Sequence, residues 1–264
     1  MLNKKIGLVL LAALLVSCSD KKEEETLTDP NQLFGEASSL LAADEYEKSA
    51  EKFAKIEREH PTSELATEAQ VKRAYAKYLD GKFDDAVFII DEFVKQYPTH
   101  QVTPYMYYLR GLCYYDQILD VGRDQELSNK AIKAFGELIA RFPDSKYSKD
   151  AQLKIEYAEN LLAGKEMEIG RFYLQKKEMI AALGRFRVVV DQYQNSIFIS
   201  EALYRLTEIY YTLGDTEQAQ RYASVLGYNY PDSEWYEMAY SLLQGVDVQK
   251  KQDPWYKKAI NNIW

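Results

Sequence analysis

The side chains in this sequence that could bind a metal or attack a substrate are few, and their spacing is unhelpful to chemistry. Two histidines and two cysteines occur in 264 residues. His60 and His100 each sit next to a proline, with no Cys, Asp or His at ligand spacing, which points to turn or surface roles. No phosphate-binding Gly-rich loop, Gly-x-Ser-x-Gly or His-Glu-x-x-His is present. What remains is carboxylate chemistry. Glu23-Glu24-Glu25 lies in a polar stretch and reads as solvated, and Asp84-Asp85 opens a helix, where carboxylates favour the dipole. A carboxylate-based hydrolase is the one enzymatic reading left open, and it would have to rest on site residues rather than on fold. With 33 basic against 41 acidic residues and a net charge of −8, the chain has no bulk attraction for nucleic acid and no Lys/Arg run that resembles a footprint for it.

Cys18 is the reactive residue with a context. Lys4 and Lys5 precede an apolar run from Ile6 to Val16, followed by Ser17 and Cys18. That run is too short for a membrane helix, which needs about 20 apolar residues. A basic start, a short apolar middle and small residues before the cut describe a secretory signal peptide. Leu15-Val16-Ser17-Cys18 also resembles a bacterial lipobox, in which the cysteine carries S-diacylglycerol and an N-acyl chain; an ordinary signal peptide would leave the cysteine incidental. Lipidation at Cys18 leaves Cys113 alone, so packing must hold the fold. Ser19 in place of an aspartate points to outer-membrane sorting. Residues 1–17 are then a signal peptide and 18–29 a flexible tether.

Internal repetition organises residues 30–245. His60-Pro61-Thr62-Ser63, Tyr97-Pro98-Thr99-His100, Phe142-Pro143-Asp144-Ser145 and Tyr230-Pro231-Asp232-Ser233 share one form, and Tyr193-Gln194-Asn195-Ser196 has it without the proline. Successive steps are 37, 45, 51 and 37 residues. Proline ends one helix and the polar residues after it can cap the next. Between these points each unit breaks again, at Asp44-Glu45, Gly81-Lys82, Lys176-Lys177 and Gly214-Asp215, while Ala151, Ile155, Ala158 and Leu162 recur at helical spacing. The unit is a helical hairpin. Its pattern matches the tetratricopeptide repeat, an all-α solenoid of about five hairpins with a last helix, through Trp235 to Leu243, as cap. Gly111 and Tyr114 with Ala131 and Phe135, and Gly170 and Tyr173 with Ala182 and Phe186, fit the small-and-large packing positions best. The extra 8 residues read as a longer turn around Gly122-Arg123-Asp124. The extra 14 are close to four turns at about 3.6 residues each, an added helix fused to the first helix of repeat 4.

Stacked hairpins line an inner surface with their first helices. Phe34, Tyr75, Tyr78, Tyr105, Tyr108 and Tyr115 fall on positions left over from packing and form an expected aromatic groove for an extended peptide, although with 22 tyrosines in the chain many pack between repeats. Charge is uneven: residues 18–70 hold 14 acids and 6 bases, residues 164–190 hold 3 acids and 6 bases. Arg171, Arg185 and Arg187 in the second stretch are candidates for docking an acidic partner, against the alternative of a solvated face.

Tyr97-Pro98-Thr99-His100, Tyr107-Tyr108-Leu109-Arg110-Gly111-Leu112, Arg123-Asp124, Phe142-Pro143-Asp144-Ser145-Lys146-Tyr147, Leu162-Ala163-Gly164-Lys165-Glu166 and Gly170-Arg171-Phe172-Tyr173-Leu174 together resemble the BamD family. That family is the lipoprotein subunit of the β-barrel assembly machinery of Gram-negative outer membranes, and the similarity runs from the lipobox to about Leu243. The resemblance implies five tetratricopeptide-type repeats, no catalysis, no cofactor beyond the lipid at Cys18, and a scaffold role on the periplasmic face of the outer membrane. It implies as partners a BamA-like barrel insertase, other assembly lipoproteins and nascent outer-membrane β-barrel proteins. The N-terminal repeats, where the tyrosine groove falls, would receive the aromatic C-terminal signal of barrel clients, and Arg185 corresponds to the arginine that contacts the insertase. Two departures stand out: the shorter turn in repeat 3 bears on accessory-lipoprotein contacts, and Gln194 in place of proline softens a helix end. Residues 246–264 form a basic and apolar tail suited to a partner or a membrane surface. The residues themselves also leave open a periplasmic scaffold for cell-wall enzymes or a peptidoglycan hydrolase.

Overall fold

The computed structural model describes residues 28–118 and 125–245. Cys18, the signal peptide, most of the tether, the Gly122-Arg123-Asp124 turn and the tail lie outside these residues. Eleven α-helices and no strand occur among the described residues. They pair as hairpins: α1 (Pro30–Ala42) with α2 (Tyr46–Glu59), α3 (Glu64–Leu79) with α4 (Phe83–Gln96), α5 (Thr103–Tyr115) with α6 (Gln125–Arg141), α7 (Ser148–Gln175) with α8 (Met179–Gln192), and α9 (Ile199–Thr212) with α10 (Thr216–Asn229). The last helix, α11 (Glu234–Gln244), packs on α9 and α10 and closes the stack.

Two turn chemistries punctuate this order. At the midpoint of four hairpins one residue enters the left-handed region: Asp44 (φ 59°), Gly81 (72°), Lys177 (62°) and Gly214 (84°). The following amide then turns back onto the first helix, Glu45 to the Leu40 carbonyl, Lys82 to Lys77, Glu178 to Tyr173 and Asp215 to Tyr210, each at 2.9 Å. These bonds satisfy carbonyls the helix end would otherwise leave bare. Between hairpins the helix stops at an aromatic or His residue with φ between −126° and −135° and ψ between 51° and 59°. Tyr193 adopts this geometry although Gln194 replaces proline, and the Ser196 amide donates to its carbonyl at 3.0 Å, as Ser63 does to His60. The expected softening there leaves no mark on the turn. Ser63 and Ser233 cap the next helices through the amides of Leu65 and Trp235. Thr103 and Ser148 instead donate their hydroxyls to the carbonyls of Tyr97 and Phe142, both at 2.6 Å, closing the turn from the far side.

Within each hairpin the second helix buries the same three positions. A small residue (Ser49, Ala86, Ala131, Ala182, Ala219), the residue four further on, and an apolar one three beyond that (Ile56, Phe93, Leu138, Val189, Leu226) are all buried. In repeats 3 and 4 the middle position is a phenylalanine ring seated on a glycine of the partner helix: a Cβ on Gly111 would lie 2.2 Å from Phe135, and one on Gly170 2.6 Å from Phe186. Helix α7 runs for 28 residues, so the added length is fused to the first helix of repeat 4. Its first half packs Ala151 and Ile155 on repeat 3, its second half packs Ala163 and Met167 against α8 and α9.

Glycine costs about 1 kcal/mol in a helix interior relative to alanine. Gly111→Ala should nevertheless destabilise by about 2 kcal/mol, because overpacking outweighs propensity. Gly184, which faces open space, should gain about 1 kcal/mol on the same change. Urea-unfolding midpoints moving in opposite directions check the pair.

Candidate functional site

The inner surface begins where α1, α3, α5 and α7 lie side by side, each touching the next. Between α3 and the entry to α5 runs a groove of about 530 Å³ lined by Glu64, Glu68, Val71, Lys72 and Tyr75 on one wall and His100, Val102 and Tyr105 on the other, with Lys72 3.8 Å from Glu68. Tyr75 lies four residues after Val71 and three after Lys72, so it shares a face of the helix with each of them. His100 reaches the groove from the turn, where its Nδ1 accepts the Val102 amide at 3.3 Å and its ring meets Phe93 edge-on at 6.0 Å. Lys72 also extends over the Phe34 ring, 5.6 Å from its centroid, and so joins repeat 1 to the groove wall.

The six aromatic residues singled out in the sequence are all half-buried, and the structure divides them by what their polar ends already do. Tyr78 stacks on Tyr75 at 6.2 Å but donates its hydroxyl to Asp116. Tyr108 stacks on Tyr147 at 5.2 Å and donates to Asp150. Burial, followed by those carboxylates, pushes both phenols above their ordinary range, so they remain donors. Tyr115 packs against Phe135 and Tyr157, away from the groove. Phe34 sits edge-on to Phe53 at 5.5 Å. Only Tyr75 and Tyr105 line the groove, and neither hydroxyl makes a hydrogen bond within the described residues. Burial raises the Tyr105 phenol as well. Lys72, His100 and Tyr147 belong to this region and were missed by residue-type reasoning. The spacing of Lys72 from Val71 and Tyr75 carried a signal; Tyr147, just after Ser145, falls at the entry to a helix where a turn role is the first reading.

The basic stretch also divides. Arg171 turns inward: its Nε donates to Glu201 at 2.9 Å and its second guanidinium arm to the other oxygen of the same carboxylate at 2.5 Å. Glu201 is 3% exposed, and Arg205 approaches it at 3.5 Å while also pairing with Glu208 at 2.8 Å. A buried carboxylate needs such partners, so Arg171 joins repeat 4 to repeat 5 as part of the interior. Arg185 donates to the buried Glu166 at 3.1 Å yet stays 43% exposed along its side chain. Arg187 is exposed on α8 and forms no ion pair among the described residues. Ile180, exposed, and Gly184 complete that outward face.

Among the described residues no group of three His, Cys, Asp or Glu side chains could hold a metal ion, and no helix is long and apolar enough to cross a membrane. Cys113 is buried on α5, and desolvation first, then Asp116, raises its thiol to about 12, far from a nucleophile.

Five helical hairpins, a concave aromatic groove and a basic outward helix define a tetratricopeptide-type solenoid. The chain belongs to the YfiO family of outer membrane lipoproteins, whose model matches residues 27–226. It is 42% identical to the outer membrane protein assembly factor BamD of Rickettsia prowazekii (strain Madrid E), over 90% of this chain and 95% of that protein. The factor of the same name from Caulobacter vibrioides is 36% identical over 94% of this chain and 83% of its own length. That of Neisseria meningitidis serogroup A is 30% identical over 97% of both.

Arg171→Ala should destabilise the protein by about 3 kcal/mol, by leaving Glu201 buried with a single, longer contact. Arg187→Ala should stay within about 0.5 kcal/mol of the parent. Denaturant midpoints of the two variants test this division of the arginines.

Proposed function

We propose that this chain is a non-catalytic scaffold lipoprotein of the β-barrel assembly machinery, anchored by lipid at Cys18 and facing the periplasm, which holds unfolded outer-membrane barrel proteins and passes them to the barrel insertase. The family and the assembly-factor relatives support the setting. The observation that carries the mode of action is the α3–α5 groove, with two unspent tyrosine hydroxyls, aromatic faces and a lysine that the exposed Glu68 approaches only at 3.8 Å.

Tyr75 and Tyr105 offer flat apolar surface to an aromatic side chain and hydroxyls to a peptide backbone. Lys72 supplies the cation that a chain-terminal carboxylate seeks, and Phe34 beneath it extends the apolar floor. A groove of about 530 Å³ suits one or two side chains of an extended terminus. Docking to the insertase falls to Arg185 and Arg187 on α8; Arg171, occupied by Glu201, supports that helix pair from within. Arginines half-exposed beside apolar surface fit an acidic partner better than lysines do. Surfaces do the work in this reading, and no cofactor enters it.

Tyr75→Ala with Tyr105→Ala should cut photocrosslinking to a barrel-derived C-terminal peptide by about tenfold, the loss of roughly 1.4 kcal/mol. Amidating the peptide terminus should weaken binding to the parent and leave Lys72→Ala indifferent. Equal yields for parent and double variant would remove the groove from the reading. Separately, Arg185→Glu with Arg187→Glu should reduce co-purification of the large barrel subunit from detergent-solubilised outer membrane; recovery of cell-wall enzymes in place of that subunit would overturn the assembly role.

A further inference from the structure

Helix α7 is about 42 Å long at 1.5 Å per residue, twice its neighbours, and the stack covers it unevenly. One stripe on it runs through Leu153, Tyr157, Asn160, Gly164 and Arg171. At the upper end repeat 5 lies on this stripe: Arg171 meets Glu201, the ring of Phe198 lies 3.2 Å from the Cβ position of Gly164, and the Asn160 side chain accepts the Ile197 amide at 2.9 Å. Helix α9 starts at Ile199, so the layer it forms over α7 stops there. Below that point Tyr157 and Leu153 continue the stripe at 49% and 64% exposure, and Ile197, 62% exposed, forms the adjoining floor. Single exposed apolar side chains are ordinary. Three that are contiguous, at a place where one helix layer ends and its partner helix runs on, form a ledge shaped for another helix.

The charge of the ledge says what kind. Glu156 and Glu159 lie along one side of the stripe, and neither has an ion-pair partner among the described residues. Glu159 is half-buried, and its carboxyl is held above the ordinary range by burial and then by Glu156. Of the cations on this half of α7, Lys154 is drawn off toward Asp150 and the Tyr115 ring, and Lys149 lies one turn before Leu153, at the far end of the stripe from Glu159. We infer that the ledge on the N-terminal half of α7 docks an amphipathic helix of a partner protein, about three turns long, whose apolar side chains cover Leu153, Tyr157 and Ile197 and whose Lys or Arg residues meet Glu156 and Glu159. Such a helix would extend the α9 layer downward, burying a face that the chain's own repeats leave bare.

A photoreactive p-benzoylphenylalanine placed at Leu153, or alternatively at Tyr157, in the full-length protein within its own membrane tests this. The expected result is an adduct to a different protein, in which the crosslinked peptide carries a Lys or Arg within one helical turn of apolar residues. Introducing Glu156→Lys, on the exposed side of α7, should lower the adduct yield by about fivefold, roughly 1 kcal/mol of lost pairing, with the unfolding midpoint unchanged. No adduct at either position, an adduct to residues 246–264 of the same chain or to a second copy, or a yield indifferent to Glu156→Lys would each overturn the inference.

Discussion

The structure depends on one contact, the seating of a large side chain from the second helix of a hairpin into a place where the first helix has almost no side chain. Phe135 on Gly111 and Phe186 on Gly170 are its tightest forms, since any Cβ there would overlap the ring. Close approach fixes the hairpin angle, and the angle fixes where the first helix points its remaining residues. Repeats 1, 2 and 5 reach similar closeness by other means. Ser49 is buried and donates its hydroxyl to the Ala37 carbonyl at 2.9 Å, and Thr207 turns its own onto the Leu203 carbonyl at 2.9 Å, so polar groups sit at the contact without remaining unsatisfied. In repeat 2 the position of the larger first-helix residue is Lys77, whose stem fills the gap while its ammonium reaches Glu47 of repeat 1 at 2.8 Å. Glu47 takes Lys82 as well, at 2.6 Å, and these two hydrogen-bonded partners hold its carboxyl down at about 2. One packing position thereby becomes a link between repeats.

The doubled α7 changes what this regularity can present. A uniform stack would offer one continuous concave strip. Here repeat 3, with repeats 1 and 2 stacked behind it, packs on the lower half of α7, and α8 with repeat 5 packs on its upper half. The tyrosine groove therefore lies in one block and the Arg185–Arg187 face in the other, with a single continuous helix as the rigid member between them. Rigidity of the joint rests on buried groups, because the bidentate Arg171–Glu201 pair and the Phe198 ring on Gly164 fasten the upper block to that helix. The two proposed docking surfaces, on a joint of this kind, keep a fixed separation, which fits the proposed role of holding one polypeptide while attached to another.

Much of this was legible in the sequence because its signals are local. Proline after an aromatic or His residue, a break half a repeat later, and Ala four residues before Phe all act within one turn or one hairpin, and the turns at Pro61, Pro98, Pro143 and Pro231 fall where those rules place them. Even the fused α7 follows from fourteen residues being close to a whole number of turns. What the sequence did not disclose are partnerships across repeats. Arg171 and Glu201 are thirty residues apart, Tyr108 and Asp150 forty-two, Tyr78 and Asp116 thirty-eight. Residue type alone made Arg171 a docking cation and gave the tyrosines equal standing; only the superhelical stacking decides which hydroxyl finds a carboxylate and which is left for a ligand.

That sorting follows a physical rule with a direction. A half-buried tyrosine loses hydration at its hydroxyl, and a nearby carboxylate compensates in full only if it can accept the bond. Where the neighbouring first helix offers an aspartate, as α7 offers Asp150 to Tyr108, the ring becomes mortar between repeats. Across the groove Tyr75 faces Val102 and the His100 ring, and the two carboxylates that line it, Glu64 and Glu68, lie on α3 with Glu68 drawn to Lys72 at 3.8 Å, so Tyr75 and Tyr105 keep their donors. The side chains proposed to grip a peptide are therefore ones whose hydroxyls the solenoid leaves without a carboxylate bond, and in the groove these are Tyr75 and Tyr105. The same reasoning, applied to apolar surface in place of hydroxyls, singles out the ledge of Leu153 and Tyr157, where a helix layer ends before the helix beneath it does.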